Sequence, residues 1–336
     1  MKSIVIVGAG SIGERHLRCF LATGQAEVSV YEVNPSLRAT MAERYPVKNI
    51  FETYDTALAS EPDALVICTP ADLHVTLAAQ AVQHGAHVLI EKPLSTSLAG
   101  VGNLQREVAS QRLIAAVAYV YRAHPALAAM RAAIQSGRFG KPVQIVAIAG
   151  QNFPFYRPTY RETYYRDRKT GGGAVQDALT HLINAAEWLV GPAESLVADS
   201  GHLLLEGVTV EDTVHVLTRH GMVMGCFSLN QHQLPYETTI TVNCQRGTAR
   251  FEYHNCRWRW SAEPGGDWHD ESNPALERDT LIIRQSEAFL GAVDGRNEPL
   301  CSLAEGVQTL HMNLAILASA ETRQWKTIDL KDVTYA

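Results

Sequence analysis

The stretch Ser3-Ile-Val-Ile-Val-Gly-Ala-Gly-Ser-Ile-Gly13 opens the chain with an apolar run that passes straight into three spaced glycines. The run Ser3–Val7 reads as a strand and Ile12–Ala22 as an amphipathic helix, so the glycines fall at a strand-to-helix turn. There each glycine has its own duty: the first permits the tight turn, the second lets the backbone approach a pyrophosphate, and the third allows close helix–strand packing. Gly8, Gly10, Ser11, Ile12 and Gly13 are therefore the expected phosphate cradle, with the free amides of the helix start as donors. The next strand candidate ends in Tyr31-Glu32, and Glu32 stands 19 positions beyond Gly13. That is close to the roughly 20-residue spacing of the acid that binds an adenosine ribose 2′-hydroxyl. A carboxylate there repels a 2′-phosphate, so NAD is the expected cofactor and NADP the alternative. Arg38, on the following helix, could reach such a phosphate, although an exposed helical arginine is the commoner reading.

Outward from this stretch, residues 1 to 121 alternate apolar runs with helical patterns. Strands are expected at Ser3–Val7, Glu27–Tyr31, Ala64–Cys68, His87–Ile90 and Ile114–Val117. Helices are expected at Ile12–Ala22, Leu37–Tyr45, Val75–His84 and Ala99–Gln111. This is the rhythm of a doubly wound parallel sheet covered on both faces. A helix over Pro125–Ser136 closes at Gly137, and strand-like runs then follow one another at Val143–Gly150, Val210–Thr218, Val223–Asn230, Glu237–Asn243 and Thr248–Tyr253. Strands without intervening helices predict an antiparallel sheet, with helices at Ala174–Val190, Leu281–Asp294 and Leu303–Thr322. The fold class is α/β, in two domains divided as 1–121 and 122–336.

Composition agrees with that plan. The chain has 336 residues, above the usual size of one hydrophobic core. Its 46% hydrophobic and 19% charged residues are those of a globular protein. A net charge of -6 gives no support for binding nucleic acid or an anionic membrane. The six cysteines are scattered without metal-ligand spacing and read as buried thiols of a reducing compartment. The histidines define no metal site either, so none is expected. Ile4–Val7 is too short for a secretion signal, and no run approaches the roughly 20 apolar residues of a membrane span. A cytoplasmic location is expected.

The chemistry centres on three residues. In Val88-Leu-Ile-Glu-Lys-Pro93, Lys92 closes an apolar strand, where ligands bind in open α/β sheets. Far along the chain, Asp177 and His181 stand four apart on a helix whose apolar stripe is Val175, Ala178, Leu179, Leu182, Ile183, Ala186 and Leu189. Their side chains are neighbours and can address one bound molecule. Removing hydride from a secondary alcohol needs a base at the hydroxyl and a positive group beside the oxygen, and this trio supplies both. Residue by residue, other readings stay open: Glu91 and Lys92 as a surface ion pair, Asp177 as a helix cap after Gly171-Gly-Gly173, and His181 as a packed core histidine.

Taken in order, these motifs resemble the Gfo/Idh/MocA oxidoreductases, the family of glucose–fructose oxidoreductase and inositol dehydrogenase. They are the Gly8 fingerprint, Thr69-Pro70 with His74, Glu91-Lys92-Pro93, Tyr121-Arg122 before His124-Pro125, Gly137 to Pro142, and Gly171-Gly-Gly-Ala-Val-Gln-Asp177 with His181. The resemblance implies a Rossmann domain followed by an α/β domain on a large, mostly antiparallel sheet, assembled as a homodimer or homotetramer. It implies that His181 is the general acid/base, that Lys92 orients and polarises the reacting oxygen, and that Asp177 positions the substrate. Thr69, Pro70, His74, Glu91 and Lys92 would lie beside the nicotinamide or its ribose. Ala71 and Val120 depart from the asparagines many members carry there, which bears on specificity.

The substrate is less legible. Phe153 to Lys169 interleaves arginines and tyrosines before the triple glycine, and arginine pairs with carboxylate or phosphate while tyrosine stacks on sugar rings. Arg157, Tyr160, Arg161 and Tyr164 are expected substrate contacts, together with Tyr119, Asp177 and His181; a loop pinned to a neighbouring subunit is the other reading. Trp258 and Trp260 alternate on one strand face and are expected at an oligomer contact, with sugar stacking as the lesser reading. The function these features predict is an NAD-dependent dehydrogenase of a sugar, sugar derivative or cyclic polyol. Its rivals are a relative that retains NAD and cleaves glycosides or couples two sugars, and a dinucleotide sensor without catalysis.

Overall fold

A computed structural model describes residues 1–272 and 274–329. Six short strands, β1 (Lys2–Val7), β2 (Ala26–Tyr31), β3 (Ile50–Phe51), β4 (Ala64–Ile67), β5 (His87–Ile90) and β6 (Ala115–Val117), form a sheet in the order β3-β2-β1-β4-β5-β6. Every pairing is parallel. The strands are valine- and isoleucine-rich because both faces are covered: Ile4, Ile6, Val30, Val66, Ile67 and Ile90 are all fully buried. The strand order reverses between β1 and β4, and in such sheets ligands bind at that reversal, beyond the carboxyl ends of the strands.

Nine further strands make a second sheet. They are β7 (Pro142–Asn152), β8 (Ser195–Gly201), β9 (Thr213–His220), β10 (Val223–Asn230), β11 (His232–Cys244), β12 (Gly247–Glu252), β13 (Arg257–Ser261), β14 (His269–Ser272) and β15 (Lys326–Thr327). Their order is β14-β13-β12-β11-β7-β10-β9-β8-β15. All neighbours run antiparallel except β7 and β10, which are parallel. The α/β class, the parallel sheet and the large mostly antiparallel sheet are as the sequence predicts. β8, β14 and the two-residue β3 and β15 have too little alternation to be read from the chain.

The chain divides into two units at Ala123/His124, but not by a single cut. Glu277–Val307 belongs with the first unit, which corrects a division at 121/122 followed by one continuous domain. The helix Thr280–Val293 packs on the helix Ser11–Ala22, where Phe289 meets Phe20 edge-on at 6.4 Å and Asp279 accepts from Arg15 and Arg18. Cys301 then accepts the Val117 amide at 3.0 Å, adding to the β6 edge. Residues 330–336, which the sequence reading assigned to the second domain, lie outside the described residues.

The tryptophans also require correction. Trp258 pairs with Phe251 and Trp260 with Ala249, both fully buried, so the two indoles lie on the covered face of the second sheet. Trp258 is 5% exposed, and Trp260 is stacked between His269 and the Arg138 guanidinium. Alternation places two tryptophans on one face, but it does not say which face is the open one.

Candidate active site

In-register parallel pairing builds the nucleotide end of the first unit. Tyr31 aligns with Val7, Val7 with Ile67, Ile67 with Ile90 and Ile90 with Val117. The next residue on each strand therefore falls in one row along the carboxyl edge: Glu32, Gly8, Cys68, Glu91 and Ala118. At about 4.8 Å per strand, Glu32 and Glu91 are roughly 14 Å apart along that edge. Residues separated by 59 positions in the chain thus line a single ledge.

The three glycines have different structural reasons. Gly8 has φ +93°, a conformation side chains rarely adopt, and its position lies against Cys68 and Thr69. A Cβ on Gly13 would stand 1.8 Å from the Gly8 carbonyl oxygen, so only glycine lets the helix seat on the turn. A Cβ on Gly10 would meet no protein atom within 4 Å. Gly10 precedes the helix Ser11–Ala22, whose start receives no side-chain cap. An uncapped helix start facing open space fits a dinucleotide pyrophosphate.

Glu32 is 7% exposed, with Oε2 accepting the Ala9 amide at 2.7 Å and Oε1 accepting the Asn34 amide at 2.8 Å. The acid expected at the ribose is thereby locked to the glycine loop. Arg38 lies close by, but its guanidinium donates to the carbonyls of Glu32 and Val33 and to Glu52. Its protein acceptors account for its position. We expect Glu32→Ala to lower the preference for NADH over NADPH by about tenfold or more, the worth of a hydrogen bond to a charged group. Nicotinamide fluorescence titrations measure the two affinities, and an unchanged ratio would refute the ribose role.

At the other end of the ledge, Thr69 and Pro70 form the turn after β4. Lys92 is half-buried beyond β5 and precedes a cis peptide to Pro93. His74 and Glu91, expected beside the nicotinamide, are 1% and 7% exposed and are bonded within the protein. Tyr119, expected at the substrate, follows β6 and is 1% exposed.

The second unit holds Asp177 and His181. The expected helix Ala174–Val190 divides into a wider π-helical turn, Val175–Leu179, and an α-helix, Thr180–Val190, so Asp177 sits in the π turn. Such turns recur at functional sites. The preceding glycines explain the irregular start: Gly171 and Gly173 have φ of +97° and +93°, and a Cβ on Gly172 would lie 2.1 Å from the Tyr165 carbonyl oxygen. The close approach expected of a substrate is made by the protein itself. Glu211, 2% exposed, accepts the Val175 amide at 3.1 Å and Arg168 at 2.9 Å, pinning the turn from β9's approach. Sequence reasoning missed Glu211, which no motif marks.

The arginine- and tyrosine-rich segment is partly internal. Tyr160 is 2% exposed in a cluster with Phe153, Tyr165, Leu205, Val208 and Val210, and its hydroxyl donates to the Glu206 carbonyl at 2.6 Å. Arg161 lies against the Tyr160 ring and donates to the same carbonyl. Burial, with Asp177, Glu211 and Asp212 nearby, holds the Tyr165 phenol well above its usual range, and it donates to Gln231. Arg157 is exposed. Tyr164 is the member brought to the catalytic candidates, donating to Asp177 Oδ1 at 2.6 Å. Among the described residues no group of three or more His, Cys, Asp or Glu could hold a metal ion.

A parallel sheet with a glycine-rich turn at its reversal and an acid at the end of the next strand, in a chain that also carries a large mixed sheet, is the architecture of a dinucleotide-dependent oxidoreductase. Residues 2–119 match the model of an oxidoreductase family's NAD-binding Rossmann fold, and residues 127–250 match the GFO/IDH/MocA C-terminal domain. The chain belongs to the Gfo/Idh/MocA family of oxidoreductases, and its first unit is that family's NAD-binding domain. It is 30% identical over 190 residues to an inositol 2-dehydrogenase of Acidothermus cellulolyticus, covering 55% of this chain and 52% of that protein. The chain thus spans about half the length of that relative. An inositol 2-dehydrogenase of Rhizobium meliloti is 24% identical over 98% of both chains. The solved structure of a levoglucosan dehydrogenase with NADH superposes with a TM-score of 0.89 at 20% identity, over 98% of this chain and 99% of that one.

Proposed function

We propose that the protein is an NAD-dependent dehydrogenase acting on a secondary hydroxyl of a sugar, sugar derivative or cyclic polyol. The observation that carries the reading is the ledge, on which one strand register sets the glycine cradle, the ribose acid Glu32 and the Glu91-Lys92 pair in line. The names of the relatives, inositol and levoglucosan dehydrogenases, support the substrate class. NAD, when bound, supplies the hydride acceptor. Glu32 receives the adenosine ribose, and the amides after Gly10 hold the pyrophosphate. Lys92 lends positive charge to the substrate oxygen, lowering the cost of the negative charge that develops there. His181 takes the hydroxyl proton as general base. Asp177, oriented by the Tyr164 hydroxyl, hydrogen-bonds the substrate. The first unit is the cofactor domain and the second the substrate domain.

The test is absorbance of the reduced nicotinamide with NAD or NADP and a panel of inositols, anhydrosugars, aldoses and uronic acids. Reduction of NAD with one polyol or sugar group is expected. Silence across the panel with NAD bound would overturn the dehydrogenase reading in favour of retained cofactor.

Assembly into a homo-oligomer is part of the same proposal. The uncovered face of the second sheet carries Leu217, Cys226 and Val146 across β9, β10 and β7, with Met224 and Ile148 beside them. Leu217, Met224 and Ile148 are 50%, 51% and 45% exposed. Adjacent apolar side chains on a flat sheet suit contact with a second copy, and a solution mass measurement tests it. Among the described residues no helix is long and apolar enough to cross a membrane.

A further inference from the structure

We propose that His16 and Glu91, backed by His74, form a buried positioning device that fixes the main chain on both sides of Lys92 and ties it to the helix that opens on the glycine loop. This rests on the role proposed above for Lys92 and deepens it. His16 stands three residues beyond Gly13 on the helix Ser11–Ala22 and is fully buried. Its Nε2 lies 2.7 Å from Glu91 Oε1, and Glu91 Oε2 accepts the amide of Lys92 at 3.0 Å. One carboxylate therefore joins the helix of the phosphate cradle to the backbone nitrogen of the lysine. On the other flank, the His74 ring stands between two carbonyl oxygens, that of Thr69 at 2.8 Å from Nε2 and that of Pro93 at 3.0 Å from Nδ1; burial disfavours its charged form, and the neutral ring donates its single N–H to one of them. The residues before and after Lys92 thus each lie within hydrogen-bond distance of a histidine from a different helix.

The electrostatics make this an ordering device rather than a cheap fold contact. Burial pushes the Glu91 carboxyl up, but the bond and charge of His16, with Lys92 adjacent, outweigh it and hold the group below the usual carboxylate range. An anion kept in the interior requires fixed partners. Apolar side chains of similar volume would serve stability as well or better, so the pair is explained by the geometry it imposes. His16 and His74, at 0% and 1% exposure, act through Lys92 and are positioning residues. Displacing a catalytic group by about 1 Å can cost about 10²-fold in rate.

The test uses the full-length protein with NADH, with myo-inositol and levoglucosan as first substrates. His16→Leu should lower kcat by about tenfold or more, with KM and the NADH dissociation constant within about threefold. In the same variant, amide hydrogen exchange at Lys92 should quicken by about tenfold or more while β5 stays protected. His16→Gln, whose amide reaches Glu91 from the same position, should restore both. Unchanged kcat and exchange in His16→Leu would overturn the proposal, as would a loss confined to NADH affinity and melting temperature. Should His16→Leu fail to fold, Glu91→Gln and Glu91→Ala carry the test: the first should keep the Lys92 amide protected and the second should release it, and equal exchange in both would overturn the proposal. If Lys92→Ala stays active, or no substrate turns over, the catalytic reading fails; the exchange measurement still decides whether the pair holds the Lys92 main chain.

Discussion

Replacing Lys92 by Ala is expected to lower kcat by about 10²–10³-fold, the usual cost of losing a preorganised electrostatic stabiliser. The dissociation constant for NAD should stay within about threefold, because the proposed cradle of Gly8 to Gly13 and the proposed ribose acid Glu32 lie elsewhere on the ledge. The split distinguishes chemistry from binding. A residue that merely shapes the turn after β5 would change affinity and rate together, whereas a group acting on the substrate oxygen changes kcat alone. Steady-state kinetics on the panel-identified substrate, beside fluorescence titration of NADH, reads both. Turnover within about threefold of the parent would remove Lys92 from the mechanism.

Gly13→Ala is the larger insult to structure. Its Cβ would lie 1.8 Å from the Gly8 carbonyl oxygen and 2.9 Å from the carbonyl carbon, and neither is a flexible side-chain end. The helix Ser11–Ala22 must move away from β1, costing about 3 kcal/mol or more, the upper end for overpacked interiors. The displaced helix start should also weaken NAD binding by about 100-fold or more, since its amides no longer converge on the phosphates. Gly10→Ala is the control. Gly10 has φ -64° and nothing within 4 Å of a Cβ, so stability should change by less than about 0.5 kcal/mol while NAD affinity falls. Denaturant melts and NADH titrations on the two variants separate the roles. Equal stability of Gly13→Ala and the parent would show that the close packing inferred from the turn is not required.

The local signals in the chain are enough to read five of the six strands of the first sheet and the glycine turn between the first strand and its helix. Spaced glycines after an apolar run, an acid at the next strand end and a lysine after a fourth run are each written within a few residues. Short-range sterics and strand periodicity enforce them. The π turn that carries Asp177 was not legible, because Gly172 is required by a carbonyl of Tyr165 and Gly173 lies against a carboxylate of Glu211, both contacts of the folded chain. The arginine- and tyrosine-rich segment read as a surface for substrate, yet Tyr160 and Tyr165 became the core of their own loop through burial that composition does not reveal.

By itself, then, the sequence determined the fold class, the family, the glycine turn after the first strand and the residue types available for chemistry, since each depends on neighbours a few positions away. Only the tertiary structure decided what depends on residues far apart. It aligned Glu32 with Glu91 on one ledge, joined His16 to Glu91 across 75 positions, returned Glu277–Val307 to the first unit and turned the tryptophans to the covered face. The physical reason is that strand register and burial are cooperative properties of the packed sheet: a pattern of alternation fixes which residues share a face, but only packing fixes what that face meets.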